Sequence, residues 1–195
     1  MDNIHISGNP GSGKTSMCLV FSKQVLMNGG RVFWLSSDVN SERFSQIMEN
    51  VPITKASNFH SLQFAAEASL KDGFEESISQ LTRMCKHLPS TKLIVIDGWD
   101  GGIDKYSKRL RIENIGELVK LSKSQDFDIY ITSQSYENVG AGPEKFIIRS
   151  RTKFEELGFQ SWLIIPHEKI DGLRILIKEE NELTFKMSQE GIEYV

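Results

Sequence analysis

The chain has 195 residues, 39% hydrophobic and 25% charged, with a formal net charge of −3; such a composition suits one globular domain with a full core and excludes a disordered or fibrous chain. No apolar run approaches the roughly 20 residues of a membrane span, and no basic region with an apolar core opens the chain, so a cytoplasmic protein is expected. The acidic balance argues against a protein that coats DNA non-specifically, though a local basic patch remains able to act.

Strand and helix patterns alternate along the chain. Residues 3–7 (NIHIS) read as a strand, and residues 13–28 as a helix with Met17, Val20, Phe21 and Val25 on one face. Asn28-Gly29-Gly30 ends that helix. Residues 31–36 (RVFWLS) form a second strand, and a helix follows from Ser41 to Glu49. A short strand is predicted at 51–57, with helices at 59–70 and 74–88 that break at Asp72-Gly73 and stop at Pro89. Residues 92–97 (KLIVID) are almost wholly apolar, as a parallel strand buried on both faces requires. A helix over 109–125 and a strand over 128–133 come next. Beyond a Gly-rich stretch at 138–142, segments 161–165, 172–178 and 182–188 read as an antiparallel meander.

The first strand runs into Gly8-Asn9-Pro10-Gly11-Ser12-Gly13-Lys14-Thr15, which satisfies G-x-x-x-x-G-K-[ST] at every fixed position, and Ser16 follows within the helix start. Glycines let successive N–H groups turn inward onto phosphate oxygens, and the helix that begins there adds the positive end of its dipole. Lys14 is placed for the β- and γ-phosphates and the Thr15 hydroxyl for Mg²⁺, so the loop predicts ATP and Mg²⁺ as ligands. Four apolar residues lead into Asp97, a carboxylate at the carboxyl end of a buried strand, where α/β sheets bind ligands and where it can hold the metal. Asp38, after FWLSS, and Gln134, in ITSQ, end two further strands; a carboxylate there can orient a water and an amide can sense a γ-phosphate.

The remaining polar residues carry less. Cys18 and Cys85 are too few and too far apart for a disulfide framework or a zinc site and read as core thiols, and the four histidines show no metal-ligand spacing. Trp162 reads as core; Trp99, just past Asp97, suits either packing or the site. Two basic segments stand out: KYSKRLR, with Lys105, Lys108, Arg109 and Arg111 beside Tyr106, and KFIIRSRTK, with Lys145, Arg149, Arg151 and Lys153 beside Phe146. Cations interleaved with an aromatic ring suit a nucleic-acid single strand, and an ordinary solvated surface is the competing reading.

In this order, GNPGSGKT, FWLSSDVNSERFSQI, LIVIDGWD, YITSQ and FKMSQEGIEYV resemble the RecA/RadA recombinase superfamily, and most nearly its short archaeal RadB-type paralogues. The resemblance implies a RecA-like α/β P-loop core over residues 1–195, with a mostly parallel sheet flanked by helices and an antiparallel C-terminal meander. It puts Asp38 where the family has its catalytic Glu and Gln134 at the γ-phosphate sensor. The segments after Asp97 and Gln134 become DNA-facing loops. Because Asp38 is one methylene shorter than Glu, slow hydrolysis is expected. The chain starts seven residues before Gly8, so neither an N-terminal helical domain nor a polymerisation segment is expected, and long filaments are not. An ATP-binding protein that assists DNA recombination and repair is one expectation, with single-stranded DNA or a recombinase as partner. A nucleotide-dependent regulatory module with little turnover and no DNA binding is the alternative. A P-loop small-molecule kinase fits less well, since the late meander replaces the arginine-rich lid such enzymes carry.

Overall fold

A computed structural model describes residues 2–37, 41–64, 73–101, 105–138 and 145–195, with Lys105 and Tyr106 described in their backbone alone. Its elements in chain order are β1 (Asn3–Gly8), α1 (Lys14–Met27), β2 (Arg31–Ser36), α2 (Ser41–Met48), α3 (Ile53–Ala56), β3 (Phe59–Gln63), α4 (Gly73–His87), β4 (Thr91–Asp97), α5 (Lys105–Gln125) and β5 (Asp128–Glu137). They continue as β6 (Phe146–Ile148), α6 (Arg151–Glu156), β7 (Phe159–Pro166), β8 (Leu173–Lys178), β9 (Asn181–Ser188) and β10 (Gly191–Tyr194).

The strands order as β10-β9-β8-β7-β1-β5-β4-β2-β3, with β6 antiparallel against the far end of β5. From β7 to β3 all pairings are parallel, and β7, β8, β9 and β10 form the antiparallel meander. The expected architecture is therefore the one observed.

Two apolar layers cover the sheet, and the period-two alternation of a strand assigns each residue to one of them. On β2, Val32 and Trp34 face the layer built with Met17, Leu19 and Leu26 of α1. Phe33 and Leu35 face the opposite layer, with Phe74, Ile78 and Leu81 of α4 and Ile115 and Leu118 of α5. On β4, Leu93 and Val95 divide from Ile94 and Ile96 in the same way. Burial on both faces explains why these strands are continuous apolar runs in the sequence. Cys18 and Cys85 are buried core thiols, and Trp99 and Trp162 are core as well. Among the described residues, no helix is long and apolar enough to cross a membrane.

Two expectations fail between β2 and α4. The segment 51–57 is not a strand: Pro52 leads into the single turn of α3, whose Lys55 and Ala56 amides both donate to the Pro52 carbonyl at 2.8 and 2.9 Å. The apolar Ile53 of this segment is 86% exposed. Residues 59–63 are not helical but form β3, in parallel register with β2 from Val32↔Phe59 to Ser36↔Gln63. FHSLQ lacks the β-branched residues that mark a strand, so pairing with β2 decides its conformation. The short β6, α6 and β10 lay outside the predicted elements.

Candidate functional site

The phosphate loop spans the gap between β1 and α1, and its backbone explains its glycines. Gly11 and Gly13 have φ of 74° and 101°, in the left-handed region, and Gly13 is the N-cap of α1. A Cβ on Gly8 would lie 2.6 Å from Ser12 Oγ and 2.8 Å from the Ile164 carbonyl, so β7 presses on the base of the loop. Lys14 Nζ donates to the Gly8 and Asn9 carbonyls at 2.7 and 3.0 Å and so lies across the loop. Burial lowers the Lys14 pKa, and the carboxylates of Asp97 and Asp100 oppose that shift. Ser12 Oγ is buried with no hydrogen-bond partner among the described residues. A tight turn with two left-handed glycines, a buried hydroxyl and the start of a 14-residue helix together suit a phosphate chain. Ser16, in the first turn of α1, accepts from Arg43 Nε at 2.9 Å; the Arg43 guanidinium also donates to the Ser188 and Gly191 carbonyls, which ties α2 and the β9–β10 turn to that helix.

Asp97 ends β4 opposite this loop. One of its oxygens, Oδ2, accepts from Thr15 Oγ1 at 2.9 Å, and Oδ1 accepts from Thr132 Oγ1 at 2.6 Å. The Gly98 amide donates to the same Thr132 hydroxyl at 2.7 Å, which fixes the carboxylate between β4 and β5. A hydroxyl and a carboxylate joined in this way offer two hard oxygens of the kind Mg²⁺ takes beside substrate phosphates. Thr132 was not among the sequence candidates; its only local signal is a polar residue near a strand end.

β5 lies between β1 and β4, so its end stands between the loop and Asp97. Gln134 is exposed there and pairs in register with Gly8. The Gln134 amide donates to Asp100 Oδ2 at 3.2 Å. Asp100 is buried, which raises its pKa against the pull of the Gln134 amide and the Arg149 guanidinium. Asp38 lies outside the described residues.

The two basic segments come together near this strand end but do not act alike. Lys108, Ser150, Arg151, Thr152 and Lys153 line a cavity of about 410 Å³ between the start of α5 and α6. Burial and the like charges of Arg149 and Lys153 lower the Lys108 pKa. Arg109 pairs with Glu113 at 3.0 Å, Lys145 with Glu168 at 3.5 Å, and Arg151 with Glu155 at 2.8 Å, all on the surface. Arg149 points inward, its Nε 3.1 Å from Asp100 Oδ2 in an ion pair whose angle is not that of a straight hydrogen bond.

Two expectations about these segments are corrected. Arg111 cannot meet a nucleic acid: it is 3% exposed, donates to the Trp99 and Gly101 carbonyls at 2.8 and 3.2 Å and lies against the Phe64 and Phe74 rings. Phe146 is also buried and presents no ring to a base. Tyr136 is 45% exposed and stands 5.8 Å from the Arg149 guanidinium. The side chain of Lys105 lies outside the described residues.

No family model matches the chain. It is similar to the DNA repair and recombination protein RadB of Methanococcus maripaludis, at 25% identity over 218 residues covering 97% of this chain and 90% of the relative. The RadB of Methanocaldococcus jannaschii is 25% identical over 225 residues, covering 97% and 92%, and that of Thermoplasma volcanium 24% over 212 residues, covering 96% and 81%. Among solved structures, a RadB recombinase superposes with a TM-score of 0.77 at 16% identity, covering all of this chain (100%) and 90% of that one. The chain is similar to RadB proteins over nearly its whole length and has the fold of a RadB recombinase.

Proposed function

We propose that this RadB-like chain is a Mg-ATP-binding protein with slow ATP hydrolysis that assists DNA recombination and repair in the cytoplasm, with single-stranded DNA as a ligand. The observation that carries the reading is the convergence of the phosphate loop, the Thr15–Asp97 pair and Gln134 at adjacent strand ends. Lys14 would give up the Gly8 and Asn9 carbonyls for phosphate oxygens, and the loop amides with Ser12 Oγ would hold the rest of the chain of phosphates. Thr15 and Asp97 are the residues to hold Mg²⁺, which when bound neutralises charge on the phosphates. Gln134 would touch the terminal phosphate. Asp38, by its resemblance to the family's Glu, would orient the water, and its shorter side chain makes turnover slow.

Lys108 and Lys153 line the 410 Å³ cavity and would take DNA phosphates, and the exposed Tyr136, 5.8 Å from the Arg149 guanidinium, would meet a base. A second reading has one observation in its favour: Arg109, Lys145, Arg149 and Arg151 are each paired with a carboxylate of the same chain. It makes the chain a nucleotide-dependent module that contacts a protein partner such as a recombinase.

Single-turnover ATP hydrolysis with and without single-stranded DNA, for wild type and Lys14→Ala, separates the two. A DNA-stimulated rate that Lys14→Ala abolishes supports the first reading. Tight binding without turnover and without a DNA effect supports the second.

A further inference from the structure

Asp100 has a place in the fold that its position in the turn Gly98–Gly101 does not announce. The turn is clamped from three sides. Gly98, with φ of 77°, and Trp99 donate their amides to the Thr132 hydroxyl and carbonyl, at 2.7 and 3.2 Å. Arg111 holds the Trp99 and Gly101 carbonyls from α5. The Trp99 ring meets the Phe154 ring of α6 at 4.9 Å. The Asp100 side chain, 3% exposed, has its direction fixed by these contacts.

Its oxygen Oδ2 meets two groups at once: the Gln134 amide at 3.2 Å and Arg149 Nε at 3.1 Å. Arg149, with its side chain 32% exposed, is held from the backbone. It follows β6 and precedes Ser150, whose φ of 56° starts α6, and Phe154 of α6 packs against Trp99. The carboxylate therefore joins two rigid elements, the end of β5 and the β6–α6 corner. Removing either charge leaves the other partly buried and poorly paired, so the two act as a unit.

We infer that Asp100 is a positioning residue: with Arg149 it holds the Gln134 backbone, and so the Gln134 side chain, in the place from which it distinguishes a nucleoside triphosphate from a diphosphate. The inference rests on the nucleotide-binding reading given above. It also removes Arg149 from the direct DNA contacts and makes it the internal counterion of Asp100. Gln134 lies level with Gly8 across β1 and β5, so a shift of its backbone changes its reach toward the last phosphate.

The test measures affinities for MgADP and for a non-hydrolysable Mg-ATP analogue, with thermal melting alongside, in wild type, Asp100→Asn, Arg149→Ala, the double variant and Arg149→Lys. Wild type is expected to prefer the ATP analogue. Asp100→Asn and Arg149→Ala should each reduce that preference at least fivefold while MgADP affinity stays within twofold. The double variant should be no worse than either single one, and Arg149→Lys should restore part of the preference. An unchanged preference in Asp100→Asn, or equal weakening of both nucleotides, overturns the role of Asp100. A wild type that binds neither nucleotide overturns the nucleotide reading itself, and the wild-type titration alone shows that. A wild type that binds both equally overturns Gln134 as the sensor and Asp100 with it.

Discussion

Thr15 and Asp97, 82 residues apart in the chain, share a hydrogen bond of 2.9 Å, from the Thr15 hydroxyl to Asp97 Oδ2. The contact joins the first turn of α1 to the end of β4 and puts both oxygens at one point beside the phosphate loop. Neither residue is a metal site alone; on the proposed function, the two together would offer the oxygens that hold a magnesium-bound nucleotide.

Replacing Asp97 by Asn should therefore separate metal from nucleotide. Affinity for the Mg-nucleotide should fall at least about tenfold, or about 1.4 kcal/mol. Affinity measured in excess chelator should change little. Isothermal titration in the two conditions checks this, and equal loss in both would remove Asp97 from the metal.

Gly8 should tolerate no side chain. An added Cβ meets Ser12 Oγ at 2.6 Å and the Ile164 carbonyl at 2.8 Å, and the latter is backbone of the neighbouring strand. Gly8→Ala is expected to destabilise the fold by about 1–3 kcal/mol, the usual result of overpacking, and to weaken nucleotide binding. Denaturant titration reads the first effect and nucleotide titration the second.

Arg111 and Lys108 should part company in a salt-dependent DNA assay. Arg111→Ala removes donors from two carbonyls and a cation from two rings, so stability should drop by about 2–3 kcal/mol. The salt slope of single-strand binding should not change. Lys108→Ala and Lys153→Ala should leave stability nearly intact and reduce the slope by roughly 0.7 each. A reduced slope in Arg111→Ala would show that the buried side chain leaves its pocket.

His5 should make stability fall in mild acid. Its Nε2 is hydrogen-bonded to Ser133 Oγ at 2.8 Å beneath the phosphate loop, and burial lowers its pKa from 6.5 to about 3. The folded state thus keeps His5 neutral, while the unfolded chain takes up a proton below its ordinary pKa. The stability associated with the neutral ring is fully present above that pKa and is lost as pH falls through the window between the two values. Denaturation midpoints from pH 7 to pH 4 should slope less in His5→Gln than in wild type, and parallel slopes would contradict the assignment.

The contrast between Arg109 and Arg111 shows where reading the sequence stops. In KYSKRLR both look like members of one basic patch. On a helix two positions apart means roughly 200° of rotation, so α5 turns Arg109 out to Glu113 and Arg111 in to Phe64 and Phe74. Nothing local in the segment says which face meets α4. FHSLQ is a similar case, since its strand exists because β2 offers it a register. Asp100 is a third: a turn residue by its neighbours, it becomes the shared partner of the Gln134 amide and the Arg149 guanidinium only when β5 and the β6–α6 corner arrive beside it.

What the sequence determined by itself is everything that depends on a few adjacent residues. The turn of GNPGSGKT, the doubly buried strand of LIVID and the alternation of strands and helices follow from backbone freedom and from hydrophobic period, which are local properties. Tertiary structure decided which strand ends became neighbours. The insertion of β5 between β1 and β4 brings Gln134 level with Gly8 and Thr132 against Asp97. Those pairings are set by sheet order and register, and energies summed over long-range contacts choose them.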